Sequence, residues 1–487
     1  MTELTAIVLA AGQGTRMKSS RAKVLHELCG CPMIDFPVRA ALAAGAREVV
    51  VVVGRDRDEV TAHLVRTFGA SVRTAIQAEQ RGTGDAVRAA LPSVPDDATA
   101  ALVLCGDTPL VPAAALAELA AERARGDRRL ALLTFEVADP TGYGRILRGA
   151  SGEVRAVREH RDASAAERAI RECNAGMYCA RLDFLRAAVG ALGTDNAQRE
   201  LYLTDIVAAA DGDAASLCAD ATSLTGVNDR VQLAAVEAEL HRRIADGWRR
   251  AGVTVRESAR IDASVALEPD ATIEHGVVLR GSTRVGRGAR IDVGAVLVDT
   301  DVAEGALVKP YSVCTRARIG PRAEIGPFAH LRPDSDIGPE AHIGNFVETK
   351  KTRLGRGAKA NHLAYLGDGE VGEGANVGAG TIFCNYDGFS KHPTIIGARA
   401  FIGSDSQLVA PVTVGEGAYV ATGTTVTKDV PPDALAIARA PQENKLGYGP
   451  RLRARLSARA KAAKEAGARA PAPVVPATGA TEPGKRD

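Results

Sequence analysis

Aromatic residues are the scarcest class in this chain: Phe, Trp and Tyr together make up 4% of it, with a single Trp. That scarcity argues against a bulky core. The 50 glycines among 487 residues point instead to thin, tightly turning architecture. Neither sign of charge prevails. With 61 basic and 59 acidic side chains the formal charge is +2, so nothing global argues for nucleic acid or a membrane as partner. Long apolar runs are missing too. Met1 leads straight into the short stretch Ala6-Ile7-Val8-Leu9 without a cationic leader, so neither a secretory signal nor a transmembrane span is expected. The eight cysteines are scattered, as in a reducing cytoplasm. Cys29 and Cys31 stand one residue apart with no matching pair at zinc spacing, which makes packing their default role.

A chain of this length exceeds one hydrophobic core, and two or three domains are expected. Residues 1–229 read as α/β. Apolar runs Ala6–Ala10, Val49–Val53, Ala101–Cys105 and Leu130–Val137 have strand character, and stretches such as Ala113–Arg125 between them have helical spacing. This alternation predicts a Rossmann-like, largely parallel sheet covered on both faces. Residues 230–252 read as one long connecting helix. Residues 253–450 follow a different grammar: Ile261, Leu267, Ile273, Leu279, Val285, Ile291 and Leu297 fall six apart. After an adjustment near Val302 the beat is expected again at Val313, Ile319, Ile325, Leu331, Ile337 and Ile343. It resumes at Ile396, Ile402, Leu408, Val414, Val420 and Val426. A hexapeptide period is the signature of a parallel β-helix, each unit one side of a triangular coil with its aliphatic residue inward. Asn345–Gly357 and Cys384–Pro393 read as interruptions, the places where a tight repeat carries loops. Residues 451–487, basic and then Ala/Pro-rich, are expected to be a disordered or weakly helical tail.

In the first region, Leu9–Met17 (LAAGQGTRM) follows the first strand directly. A Gly-rich turn there lets backbone N–H groups approach a phosphate, and Arg16 and Lys23 add charge. By itself the pattern is weak, being neither a Walker loop nor a full dinucleotide fingerprint. Gln77 and Gly82-Thr-Gly84 form a second small-residue loop. Asp107 ends an apolar strand at the carboxyl edge, where open α/β sheets bind ligands. The plainer readings are a helix N-cap for Asp107 and a turn residue for Asn228. In the β-helix, polar residues gather where the repeat is disturbed: Arg332, Asn345–Lys351, His362, Tyr365, Asn376 and Asn385-Tyr386. His362 is the side chain there whose ordinary pKa suits general-base work near neutrality, against the plainer reading of a surface or corner histidine.

The first region resembles the nucleotidyltransferases that make nucleotide sugars. It is most similar to the uridyltransferase half of bifunctional N-acetylglucosamine-1-phosphate uridyltransferase/glucosamine-1-phosphate acetyltransferases. The resemblance runs through Leu9–Met17, Lys23–His26, Gln77–Gly84, Gly106–Leu110, Pro140–Arg145, Glu159, Asn174–Gly176, Tyr202–Asp205 and Gly226–Asp229. It implies that Leu9, Ala10, Ala11, Gly12, Gln77, Gly82 and Thr83 hold the UTP nucleotide, with Arg16 and Lys23 neutralising phosphate. Gly144, Glu159 and Asn174 would hold the acetylated sugar, and Asp107 and Asn228 a Mg²⁺ ion. The β-helix resembles the acetyltransferase half over nearly its whole length. There the resemblance implies His362 as general base, Arg332 and Lys350 on the sugar phosphate, and Tyr365 and Asn376 on the sugar. It assigns Ala379, Asn385, Tyr386, Ser404, Thr422 and Arg439 to acetyl-CoA. It further implies a left-handed coil, a cytoplasmic homotrimer with acetyl-CoA sites at subunit boundaries, and a place in cell-wall precursor synthesis.

The chain departs from the family pattern at Ala22, usually Pro, at Asp85, commonly His, and at Thr422, often Ala. The Trp common beyond the last coil is replaced at best by Tyr448. The main alternative is a monofunctional sugar-1-phosphate nucleotidyltransferase whose β-helix only oligomerises. A non-enzymatic repeat scaffold leaves the phosphate loops unexplained.

Overall fold

The structure, a computed structural model, describes residues 3–468. One compact unit extends to Ala436 and a second begins at Ile437.

The first unit opens with strands β1 (Leu4–Leu9), β2 (Glu27–Leu28), β3 (Cys31–Pro32), β4 (Glu48–Val53), β5 (Val72–Ile76) and β6 (Ala100–Cys105). It continues with β7 (Leu130–Glu136), β8 (Arg145–Arg148), β9 (Val154–Arg158), β10 (Glu172–Arg181) and β11 (Ala214–Cys218). The main sheet runs β11-β7-β10-β6-β1-β4-β5, with β8 and β9 added beside β10. β1 pairs in parallel with β4 and β6, while β10 runs antiparallel to β6 and β7. The sheet is therefore mixed. The central strands are apolar on both faces because helices cover both sides: Val49–Val52 and Ala100–Leu104 are wholly buried. Register slips on β10 between Asn174 and Tyr178, and Gly176 takes the left-handed backbone, φ 71°, that the bulge requires.

The helix Arg230–Arg250 leaves this domain and starts the next. Its Val236 and Leu240 pack with Leu28 and Met33, while Ile244 and Trp248 pack against the first β-helix coils. The lone Trp thus sits at the junction.

From Thr254 onward short parallel strands stack coil on coil, Thr254 under Thr272, Arg290 and Leu307 in turn. The aliphatic beat points inward as expected. Ile273, Leu279, Ile291, Leu297, Ile402 and Leu408 are 0% exposed. One position is corrected: Cys314 occupies the interior and Val313 is exposed, so the short steps fall before Val302 and before Ile319. A second correction concerns Asn345–Gly357, which does not leave the coil. Glu348–Leu354 is one strand bent around a corner, paired with both strands below it. Thr349 and Thr352 replace aliphatic residues inside it, and their hydroxyls bond to Ser335 and to the carbonyls of Lys350 and Leu366, so burial leaves no unpaired polar group. Cys384–Pro393 is a true insertion: Tyr365 stacks under Ile382, but Gly369 in the same strand stacks under Thr394.

In the second unit, Tyr448–Ala468 is a helix, in the stretch where a disordered or weakly helical tail was expected. Ala, Arg, Lys and Leu dominate that stretch, and all have high helix propensity. The Ala/Pro-rich end of the expected tail lies outside the described residues. No helix among the described residues is long and apolar enough to cross a membrane.

Candidate active sites

The carboxyl ends of β1 and β6 meet the turns that follow them around a cleft of about 350 Å³. Its walls include Leu9, Ala10, Ala11, Gly12, Lys23, Gln77, Gly82, Thr83 and Asp107, nine of the residues singled out from the sequence. Gly12 faces open space, whereas Gly82 has no room for a side chain: at φ 111°, a Cβ there would lie 2.6 Å from the Leu201 carbonyl oxygen. The Gln77 amide nitrogen donates to the Gly82 carbonyl at 3.1 Å and to the Asp85 carboxylate at 2.9 Å. The charge of Asp85 is thereby tied to Gln77, in the first turn of the helix Thr83–Ala90 where an anion is favoured.

At the cleft's cationic end, the Lys23 ammonium lies 2.5 Å from Asp107 Oδ2 and 3.4 Å from Asn228 Oδ1. Arg16 donates to the same Asn228 oxygen at 2.8 Å. One carboxylate oxygen and one amide oxygen converge on a single positive centre, the donor set a hard divalent cation takes. Asn228 is held in place by its neighbours. Its N–H donates to Gln232 Oε1 at 2.7 Å, and Asp229 caps the helix Arg230–Arg250 by accepting from Gln232 N–H. The Val227 N–H reaches the Asp107 carbonyl at 2.8 Å.

Gly144, Glu159 and Asn174 form a second corner. Asn174 N–H donates to the Gly144 carbonyl at 2.9 Å. A Cβ on Gly144 would lie 3.6 Å from Glu159 Oε1 and 3.7 Å from Asn174 Cβ. The bulge in β10 turns Asn174 so that its amide donates to Tyr178 Oη at 2.7 Å. Burial, opposed by a hydrogen bond from Thr204, raises the Glu159 carboxyl above its ordinary value. The segment Leu203-Thr204 connects the two corners: Thr83 Oγ1 accepts from Leu203 N–H, and Thr204 donates to Glu159. Sequence reasoning missed Gln80 and Glu200, which line the cleft, and the tether Thr204. Gln80 and Thr204 lie in segments already noted, and Glu200 does not.

On the β-helix the residues singled out fall into two groups. Arg332 and Lys350 follow each other on successive coils, since Leu331 stacks under Thr349. Arg332 pairs with Glu348 at 2.7 Å. Lys391, on the insertion, sits against Lys350, and this like charge holds the Lys350 ammonium below its usual pKa. Lys391 was missed because a loop lysine carries no signal until the fold brings it beside Lys350. Tyr365 and Asn385 complete this group: a Cβ on Gly367 would meet both the Tyr365 hydroxyl and the Asn385 amide. Asn385 also donates to Asp368 at 2.6 Å, and the Tyr386 hydroxyl donates to the Gly388 carbonyl at 2.6 Å, within the loop.

His362 belongs to the other group. It pairs with Asn345 at an exposed corner. Above that corner the Leu363 carbonyl accepts from Gly380 N–H, Ala379 from Asp405 and Ser404 from Gly423. His362, Ala379, Ser404 and Thr422 therefore mark one vertical edge. Asn376 lies on the flat face leading to it, stacked between Lys359 and Phe401. Arg439 is exposed in the second unit.

This combination, a nucleotide-type cleft on a mixed α/β sheet followed by a hexapeptide coil, defines a two-domain transferase. A MobA-like NTP transferase domain matches residues 6–174, and a bacterial transferase hexapeptide (six repeats) matches residues 393–428. A "Bifunctional protein GlmU" of Sorangium cellulosum is 66% identical, covering 94% of this chain and 99% of that one. Proteins of the same name from an Anaeromyxobacter species and from Trichlorobacter lovleyi are 53% and 49% identical, covering 97% and 91% of this chain and 96% and 97% of their own length. The chain belongs to the bifunctional GlmU family, with uridyltransferase and acetyltransferase activities.

Proposed function

We propose that the chain acetylates glucosamine-1-phosphate with acetyl-CoA on the β-helix and then uridylylates the product with UTP in the α/β cleft, releasing pyrophosphate. The observation that carries this reading is that cations gather in two separate places. Arg16 and Lys23 meet beside Asp107, and Arg332, Lys350 and Lys391 meet on the coil. Each set suits one phosphorylated ligand.

In the cleft the backbone of Leu9–Gly12 and the loop Gln77–Thr83 bind UTP, while Gly144, Glu159 and Asn174 orient N-acetylglucosamine-1-phosphate. Asp107 and Asn228 would hold Mg²⁺, which would supply positive charge against the phosphates. Both reactants are anions and the sugar phosphate is itself the nucleophile. Catalysis is then positioning plus charge neutralisation, with Lys23 released from Asp107 toward phosphate. On the coil, Arg332, Lys350 and Lys391 bind the sugar phosphate, and Tyr365 and Asn376 the sugar. His362 takes the proton as the 2-amine attacks the thioester carbonyl and the thiol of coenzyme A leaves. Ala379, Asn385, Tyr386, Ser404 and Thr422 hold acetyl-CoA.

The His362 edge and the Arg332–Lys350 cluster lie on different sheets of one coil, so we assign the complete acetyl site to neighbouring copies in a homotrimer. The edge bearing His362 supports this. Tyr311, Phe328 and Phe346 stack there with ring centroids 5.5 Å apart, all three exposed and all in left-handed backbone. Bulky residues bear a steric cost in that conformation, which contact with another subunit offsets. Free thiols at all eight cysteines suit work in the cytoplasm.

The test supplies glucosamine-1-phosphate, acetyl-CoA, UTP and Mg²⁺ and follows both products. The wild type makes acetylated sugar phosphate and then the nucleotide sugar. His362→Ala stops the first and leaves the second intact when N-acetylglucosamine-1-phosphate is supplied, and Asp107→Ala does the reverse. Loss of both reactions from either change in a folded trimer would sink the two-site reading.

A further inference from the structure

Outside both clusters, the turn between β2 and β3 points the Cys29 thiol at the helix Arg230–Arg250. We propose that Cys29, Glu237 and His241 form a binding site for a borderline-soft divalent cation of the Zn²⁺ class, joining the hairpin, the linking helix and the start of the β-helix.

Each residue is held there by its own element. Cys29 and Gly30 are the two central residues of a tight hairpin, both in left-handed backbone, φ 47° and 77°. Glu237 and His241 stand four apart on the helix and therefore share one face. One ligand atom from each of the three residues can be chosen so that all lie within 4.8 Å of one another. Bonds of tetrahedral zinc to sulfur, nitrogen and oxygen would place such atoms about 3.5 Å apart, so closure requires shifts of about 1 Å.

The surroundings point the same way. Glu237 already leans on the hairpin: its carboxylate accepts from Cys29 N–H at 3.3 Å, and its carbonyl takes the weak Cys29 thiol contact at 3.9 Å. His241 Nδ1 is shielded from solvent and has no hydrogen-bond partner. Such an orphaned polar atom is costly unless something occupies its lone pair. Asp262, on the first coil, closes the ring of charge: a Cβ on Gly30 would collide with its carboxylate, and the Ala263 N–H donates to the Cys29 carbonyl at 2.9 Å. Asp262 accepts from Gly281 N–H at 3.2 Å, which leaves oxygen capacity for a second-layer bond or a fourth ligand.

Electrostatically the pocket is acidic. Burial and then the Glu237 and Asp262 carboxylates push the Cys29 thiol well above its ordinary pKa, with Arg260 acting weakly in the other direction. Burial, then Arg260, lowers the His241 pKa and keeps the imidazole neutral, the form that ligates. A divalent cation would reverse the thiol's balance, releasing its proton to solvent as the metal–sulfur bond forms. Sulfur, imidazole and one carboxylate together favour zinc or cobalt over Mg²⁺, which takes oxygen ligands only. The cation would act as a clamp, since its ligands come from segments more than two hundred residues apart that also meet the start of the coil, the helix through Ile244 and Trp248 and the hairpin through the Ala263 N–H. That separation is why no zinc spacing is visible in the sequence.

The test titrates Co²⁺ into chelator-treated full-length protein in excess Mg²⁺, which keeps the Asp107 site occupied. We expect one equivalent of Co²⁺ to give thiolate-to-cobalt charge-transfer absorption and tetrahedral visible bands, both bleached by Zn²⁺. Cys29→Ser loses the charge-transfer band, Asp262→Asn weakens affinity about 10- to 100-fold, and Cys31→Ser and Asp107→Ala keep the band. Uridyl transfer by Cys29→Ser reports that it has folded. If that variant does not fold, alkylation of the wild type decides, with Zn²⁺ expected to protect Cys29, mapped by mass spectrometry. Absence of a thiolate band in the wild type, an undiminished band in Cys29→Ser, or equal alkylation with and without Zn²⁺ overturns the site.

Discussion

Single side chains carry the chemistry, and their effects should separate cleanly. Removing the imidazole of His362 should lower acetyl transfer by about 10²- to 10⁴-fold, the range of a general base, with uridyl transfer as the internal control. Glu159 gives a pH signature. Burial raises its pKa in the folded chain, so the folded state binds its proton more readily than the unfolded one. That contribution to stability is full below the ordinary carboxylate range and is lost as pH rises through the raised folded value. Glu159→Gln should therefore gain stability relative to the wild type as pH rises, measured by thermal unfolding at a series of pH values. If the ionised carboxylate holds the sugar, wild-type KM for the sugar phosphate should climb on acidification, starting above the ordinary Glu range, and the variant should show no such limb. Gly82→Ala should abolish uridyl transfer in a folded protein, because its Cβ meets backbone at Leu201 rather than a movable side chain. That Gly12, Lys23 and Asp107 line one cleft was legible because motif and strand edge coincide. Lys391 and Thr204 were not, because a lone Lys or Thr has meaning only once folding brings a partner beside it.

Among elements, the helix Arg230–Arg250 does more than connect. Its N-cap Asp229 directly follows Asn228, and Gln232 in its first turn holds the Asn228 backbone. Asp229→Ala should cost about 1 kcal/mol in denaturant unfolding and also raise the Mg²⁺ concentration that uridyl transfer requires, a coupling that an ordinary capping change would lack. The coil shows how a period survives imperfect residues. Thr349 and Thr352 break the aliphatic beat, yet they stay inside because their hydroxyls find partners there. The beat was readable wherever an aliphatic residue marks it. At Val313-Cys314 two small apolar neighbours compete, and only packing puts Cys314 inside.

For the whole molecule, the exposed ladder of Tyr311, Phe328 and Phe346 should set the assembly. Phe328→Ser combined with Phe346→Ser is expected to convert the proposed trimer to monomer in light scattering, losing acetyl transfer while uridyl transfer persists. A trimer that survives the double change would remove the support this edge gives.

Periodicity by itself determined that a triangular coil follows an α/β domain, because side-chain burial repeats with the backbone and leaves its mark every sixth residue. Short loops likewise determined where the cleft of the first domain lies, since glycine, lysine and aspartate at a strand end act locally. Tertiary structure alone decided the rest: the antiparallel β10 with its bulge, the pairing of Lys350 with Lys391, and the approach of Cys29 to His241. Those depend on segments distant along the chain meeting in space, and local chemistry does not encode which distant neighbour a side chain will find.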